Sequence, residues 1–329
     1  MKKIARSFSG WPGVFWLLAV SLCSAMPHVS GWLVGDAHLH STYSDGNSSI
    51  AVMASRAKDL GLQWLYLTDH APFFFLKSWN NYVRECRQAS TDIIVMAGSE
   101  FGLTNHYLGY GLEHFQPSLI DSCQGLINYV ISLGGFGYIA HPDSPDLGWD
   151  DLSVDGYTGI EVWNGRSSCE YLWDELLMQQ RKVLGIANTD AHSPDSLGDP
   201  FLYVRAGPAE EEILQALKTG KVVMSRGPFL NFEVGPSELG ETAGIPERSG
   251  VAHLNVTWVS DGTLELVRIL RVDPDGISTA AIIDTVLSPS PVELTVPLEK
   301  NSICLRLQGL NSSGQVIALT NPIWVQELA

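Results

Sequence analysis

Positive charge is scarce in this 329-residue chain: 20 Lys and Arg stand against 36 Asp and Glu, a formal net charge of −16. That balance excludes a protein that binds duplex nucleic acid by neutralising phosphates with a basic face. Cysteine is scarce too, with five in all. None has a CxxC neighbour, which disfavours a thiolate zinc site. Cys86, Cys123, Cys169 and Cys304 are spaced too widely for the sequence to fix a pairing. The chain has no internal repeat, and after its N-terminal segment no second apolar run that would span a membrane. Disorder is excluded as well, because 45% of the residues are hydrophobic, enough for a sizeable core.

Lys2, Lys3 and Arg6 precede an apolar run of 12 residues from Val14 to Ala25. This is short for a bilayer core of roughly 30 Å. Small residues at Cys23, Ser24 and Ala25 suit cleavage. Residues 1–26 therefore read as a signal peptide, with export to the periplasm or beyond. An uncleaved anchor is the other reading of the same run.

From Gly31 to about Ala206, short apolar runs alternate with amphipathic segments. The runs Leu62–Leu67, Ile93–Ala97, Phe136–Ala140, Ile160–Trp163, Val183–Ala187 and Phe201–Val204 read as buried parallel strands. Ser48–Leu60, Trp79–Ala89, Leu119–Leu133 and Cys169–Gln180 read as helices between them. Such alternation predicts a barrel or a doubly wound sheet. Glu210–Thr219 reads as one more helix and Val222–Ser225 as a strand. Beyond Phe232 the pattern alternates as strands do, at Leu254–Trp258, Leu264–Arg268, Val292–Val296, Cys304–Leu307 and Ile317–Leu319. A small sandwich-like module is expected there.

Asp, Glu and His recur just after the apolar runs. Asp36-x-His38-x-His40 follows Trp32–Val34, and Asp69-His70 follows Leu62–Leu67. Glu100 follows Ile93–Ala97, His141 follows Phe136–Ala140, and Asp190-x-His192 follows Val183–Ala187. In an α/β barrel the ends of parallel strands meet on one face, so these groups would share a basin. In extended chain, residues i and i+2 point to one side, which aligns Asp36, His38 and His40. Imidazoles mixed with carboxylates, without thiolates, suit Zn²⁺, Mn²⁺ or Fe.

The strings Asp36-Ala-His38-Leu-His40-Ser-Thr-Tyr-Ser-Asp45-Gly46, Thr68-Asp69-His70, Gly98-Ser-Glu100 with His106, Ala140-His141-Pro142 and Thr189-Asp190-Ala-His192-Ser193 occur in this order. Together they resemble the PHP (polymerase and histidinol phosphatase) superfamily of metallohydrolases. The resemblance implies an α/β fold: a distorted barrel of seven βα units over residues 31–229, followed by the all-β sandwich-like domain over 230–329. Glu161-Val-Trp-Asn164-Gly165, Arg226-Gly-Pro228 and the trailing β module look like the exported CehA/McbA-type branch.

Carried over by position, the resemblance implies two to three divalent ions, of Mn, Zn or Fe. The first would be held by His38, His40, Glu100 and Asp190, and the second by Glu100, His106 and His141. Asp45, His70 and His192 would hold the third. Ser44-Asp45-Gly46 is also a good turn sequence by itself. A water shared by two such ions would lose a proton near neutral pH and serve as the attacking hydroxide. That chemistry suits a small phosphoester, or equally a carbamate, ester or amide. A non-catalytic envelope binding module is the reading from a different class. Asp36 and Asp69 are candidates to orient ligand imidazoles, or else solvated loop acids. Asn164, Arg166 and Arg226 are candidates for substrate binding, with pairing to one of the many acids as the alternative for each Arg.

Overall fold

The computed structural model describes residues 26–246 and 250–328, so residues 1–25 of the expected signal segment lie outside the described residues. Eleven strands and five α-helices come first. The strands are β1 (Leu33–Leu39), β2 (Trp64–Leu67), β3 (Ile94–Ala97), β4 (Ser99–Phe101), β5 (Tyr107–Tyr110), β6 (Phe136–Ile139), β7 (Gly159–Asn164), β8 (Ser167–Ser168), β9 (Leu184–Asn188), β10 (Phe201–Val204) and β11 (Val222–Ser225). The helices are α1 (Ile50–Asp59), α2 (Trp79–Ala89), α3 (Cys123–Ser132), α4 (Glu170–Met178) and α5 (Glu210–Thr219). Ser49 and Ser78 cap α1 and α2 through their side chains, and Gly220 ends α5 in the left-handed conformation.

These strands form two sheets. One contains β3-β2-β1-β10-β11, and the other β4-β5-β6-β7-β9 with β8 at an edge. Isolated bridges link Leu39 to Ala191 and His70 to Glu100 across the gap between them. β1, β2 and β3 run parallel, as do β6, β7 and β9. Phe201–Val204 does not fit the parallel expectation: β10 is antiparallel to both β1 and β11. A strand buried on both faces is apolar throughout in either orientation, so its sequence does not distinguish them. Gly35 lets β1 and β2 approach, because a Cβ there would lie 2.2 Å from the Trp64 ring.

β12 (Phe229–Val234), β13 (Thr242–Pro246), β14 (Val251–Val259), β15 (Leu266–Asp273), β16 (Gly276–Asp284), β17 (Val292–Pro297), β18 (Cys304–Leu310), β19 (Val316–Thr320) and β20 (Ile323–Leu328) complete the chain. β12, β14 and β17 make a separate antiparallel sheet. The others extend the first sheet, because β19 pairs with β11. Hydrogen bonding therefore runs unbroken across residue 229. Phe232, Val256, Ile269 and Leu307 from the two layers share one core, consistent with the expected sandwich.

Two buried polar residues fasten the C-terminal strands to the first half. Asn321 exchanges hydrogen bonds with the backbone of Gly185, at 2.7 and 3.0 Å. Arg306, fully buried, reaches Asp174 at 2.6 Å and Glu170 at 2.9 Å on α4 and lies over the Trp173 ring. Cys86, Cys123, Cys169 and Cys304 are all free and buried. Among the described residues, no helix is long and apolar enough to cross a membrane.

Candidate metal centre

Glu100, in the short strand β4, is 1% exposed. Its two oxygens face different imidazoles. Oε2 lies 3.3 Å from both His38 Nε2 and His40 Nε2, and 3.2 Å from His70 Nδ1. Oε1 lies 2.9 Å from His106 Nδ1 and 3.2 Å from His141 Nε2. One carboxylate thus stands between five imidazoles.

On the Oε2 side the donors close into a cage. His38 Nε2 and His40 Nε2 are 3.3 Å apart, and Asp190 Oδ1 is 3.3 and 3.1 Å from them. Ligands about 2.0 Å from a tetrahedral cation stand about 3.3 Å from one another. Asp190 Oδ1 and His106 Nδ1 are buried without a hydrogen-bond partner despite these close neighbours. Groups that face at such distances without hydrogen-bond geometry are aimed at a common point, where a cation would satisfy them. On the far side, Asp45 Oδ2 lies 3.5 Å from His70 Nε2 and 3.4 Å from His192 Nε2. His70 borders both groups, since it also clusters with Glu100 and His106.

Local backbone explains how these groups converge. His38 sits within β1 rather than after it, and His40 follows one residue beyond its end. His141 and Asp190 adopt positive φ values of 27° and 53°. That left-handed backbone is costly for residues with a side chain, and it aims both into the site. Gly46 is needed beside Asp45, since a Cβ there would lie 2.6 Å from the His40 carbonyl.

A ring of hydrogen bonds fixes the imidazoles. Glu161 accepts from His38 Nδ1 at 3.0 Å, Asn188 Nδ2 at 2.8 Å, the His141 backbone N–H at 2.9 Å and Asn164 Nδ2 at 2.9 Å. His38 therefore carries its proton on Nδ1 and turns the Nε2 lone pair toward the cage. His192 Nδ1 donates to the Asp190 carbonyl at 2.9 Å, leaving Nε2 for Asp45. Asp69 accepts from the N–H of Ser41 and from the N–H and Oγ of Ser44, and Ser44 Oγ meets His40 Nδ1 at 3.3 Å. Asp36 accepts from the Thr189 hydroxyl and the His38 N–H. It steadies the segment that leads to Asp190 and makes no bond to an imidazole.

Charge in the site is strongly coupled. Burial disfavours a charged Glu100, yet His38, His70 and His106 hold it well below the usual carboxylate range. Asp190 and Asp45 are likewise lowered by imidazoles in spite of burial. Burial opposes protonation of His40, but Asp190 and Glu100 raise it to about 9. His38 is raised against the same burial by Asp190, Glu161 and Glu100. Asp36 is pushed up to about 7 by burial, partly offset by Thr189 and His38.

All nine expected ligands thus gather around Glu100 and Asp45. The substrate-binding candidates stand differently. Asn164 gives its amide to Glu161 and, at 3.2 Å, to Asp190 Oδ2. Arg226 is engaged by Asp199 and the Gly165 carbonyl, both at 2.7 Å, and lies over the Trp163 ring. Arg166 is exposed beside the same turn. Glu161 was not singled out from sequence as a positioning residue, although an acid inside the apolar run Ile160–Trp163 is a signal of one. Replacing it by Gln keeps its volume and removes the charge that orients His38. Glu161→Gln should lower metal affinity about 10- to 100-fold, read by competition with a metallochromic chelator.

A buried carboxylate shared by imidazoles, without thiolates, is a donor set suited to divalent metal ions. The PHP domain family model matches residues 36–219, more than half of the chain, and the chain belongs to that family. No curated protein matches it. Among solved structures, it is similar to a two-domain protein from Bacteroides vulgatus containing a predicted PHP-like metal-dependent phosphoesterase. That likeness covers 91% of this chain and 97% of the other, at a TM-score of 0.53 and 17% identity, and it is one of fold. PsfC from Pseudomonas syringae covers 57% of this chain and 89% of its own, at a TM-score of 0.46 and 16% identity. An amidohydrolase from Chromobacterium violaceum covers 49% and 88%, at 0.36 and 17%.

Proposed function

We propose that this protein is an exported phosphoesterase that works with two to three divalent ions, of Mn, Zn or Fe. The observation that carries the reading is Glu100, whose two oxygens serve two separate sets of imidazoles. In this assignment His38, His40, Glu100 and Asp190 hold one ion. Glu100, His106 and His141 hold a second, and Asp45, His70 and His192 a third. Cations there would activate a water and offset charge on the substrate's oxygens. The chain's own task is to hold ligand atoms in place, through Glu161 and Asn164 on one side and Asp69 with Ser44 on the other. Arg166, exposed beside the turn that Arg226 holds through the Gly165 carbonyl, is the cation offered to an anionic group.

The two sheets read as halves of a distorted seven-unit barrel over residues 31–229, with 230–329 as a buttressing β module. The signal-like first 26 residues support export. Placement in the CehA/McbA-like branch rests on Glu161, Asn164, Arg226 and the trailing strands. Chromogenic phosphomonoesters and diesters, offered with each metal, test the activity. Turnover that is lost in His38→Ala is expected. Absence of turnover with every metal would overturn it, and cleavage of a naphthyl methylcarbamate alone would move the assignment to carbamates.

Because the chain is acidic, its attraction for an anion sits mainly in the bound cations. Chelator-stripped protein should lose calorimetric binding of inorganic phosphate and regain it with metal. Undiminished phosphate binding by the stripped form would contradict this.

A further inference from the structure

Three consecutive phenylalanines follow the centre's His70, in the single 3₁₀ turn Ala71–Phe75. Such a turn rotates about 120° per residue, so the three rings leave it in different directions. Phe74 points inward and packs its ring on Tyr43, Tyr82 and Phe115. Phe73 instead lies beside His70, with ring centres 6.3 Å apart and planes 26° from parallel, and remains 40% exposed. Phe75 and Leu76 are exposed by 55% and 93%.

This turn is held at three points. His70 is its entry, Phe74 its buried anchor, and Lys77 donates to the Thr42 carbonyl on the loop that carries Asp45. Phe73 is therefore fixed beside His70 at the rim of the site. Apolar surface kept in water next to a reacting centre gains from any apolar group placed over it. His70 is 3.2 Å from Glu100 Oε2, so a substrate that reacts at Glu100 and leaves the site on the His70 side meets this ring.

We propose that Phe73 forms the wall that receives the substrate's organic group. The site then favours esters of aromatic or large apolar alcohols over esters of small polar ones. This rests on the phosphoester reading, and the test separates the two. Phenylphosphonate and methylphosphonate share a head group and differ only in the part that would meet the wall. Calorimetry on the Mn²⁺-loaded protein should show phenylphosphonate binding about 10-fold more tightly. In Phe73→Ala the ratio should fall to about 2, with Phe73→Leu between, since one partly exposed ring is being trimmed.

Equal affinity of the two phosphonates in the wild type would overturn this proposal and leave the phosphoester reading standing. Binding of neither would overturn both. A ratio unchanged in Phe73→Ala also overturns the proposal. If that variant loses only its adsorption to phosphatidylglycerol vesicles, the patch belongs to a lipid surface instead.

Discussion

Glu100→Gln should lower kcat/KM for a phosphoester by at least about 10³-fold, more than the 10- to 100-fold typical of a residue one step behind the ligands. The substitution keeps shape and removes one negative charge from a site that holds five imidazoles against it. An amide offers one oxygen to a cation and cannot serve two equally. Metal content should therefore fall together with the rate. Retention of wild-type metal content and rate would show that Glu100 is not shared between ions.

The second large effect concerns stability. Arg306→Met should cost about 3 kcal/mol, the lower end of the range for breaking a buried ion pair. The lower end applies because the abandoned acids Glu170 and Asp174 keep 18% and 23% of their side chains in water. Arg306 joins β18 to α4, and Asn321 joins the end of β19 to β9, so the loss should appear in both parts of the chain. Urea unfolding followed by tryptophan fluorescence and by far-ultraviolet ellipticity should shift by the same amount. A shift in only one probe would show that the C-terminal strands melt on their own, and no shift in either would show that the Arg306 pairs add no stability.

Much of this was legible from sequence where local pattern and tertiary role agree. Trp79–Ala89 and Glu210–Thr219 form helices with the expected bounds, because an apolar stripe and a capping Ser or terminal Gly mark them. Val222–Ser225 is likewise a strand as expected. Seven of the nine ligand candidates, His38, His40, His70, Glu100, His141, Asp190 and His192, were legible because His and acids stand out after apolar runs. Asp45 and His106 came only with the resemblance to the PHP strings. Ser99–Phe101 and Tyr107–Tyr110 were not legible: the first is three residues with a charged centre and the second is broken by Gly109, so neither makes an apolar run. β16, with one buried residue among nine, offers no buried alternating face to read.

Roles that depend on direction were also hidden. The spacing places Asn164 near the site but does not show its amide committed to Asp190 and Glu161. His70 reads as a ligand of one group, while only the ring's position shows it bordering two. Continuity of the sheet through β11 and β19 depends on residues almost a hundred positions apart, beyond the reach of any local pattern. Sequence spacing assigns residue types to a region; the hydrogen-bond partners decide which atom faces which.

Anomalous diffraction from crystals of the metal-loaded protein, collected at the edge of the bound metal, tests the central claim most directly. The account predicts at least two peaks flanking Glu100. One should lie about 2.0–2.2 Å from His38 Nε2, His40 Nε2 and Asp190 Oδ1, and the other at similar distances from His106 and His141. A single peak remote from Glu100, or no peak in protein that still hydrolyses its ester, would contradict it.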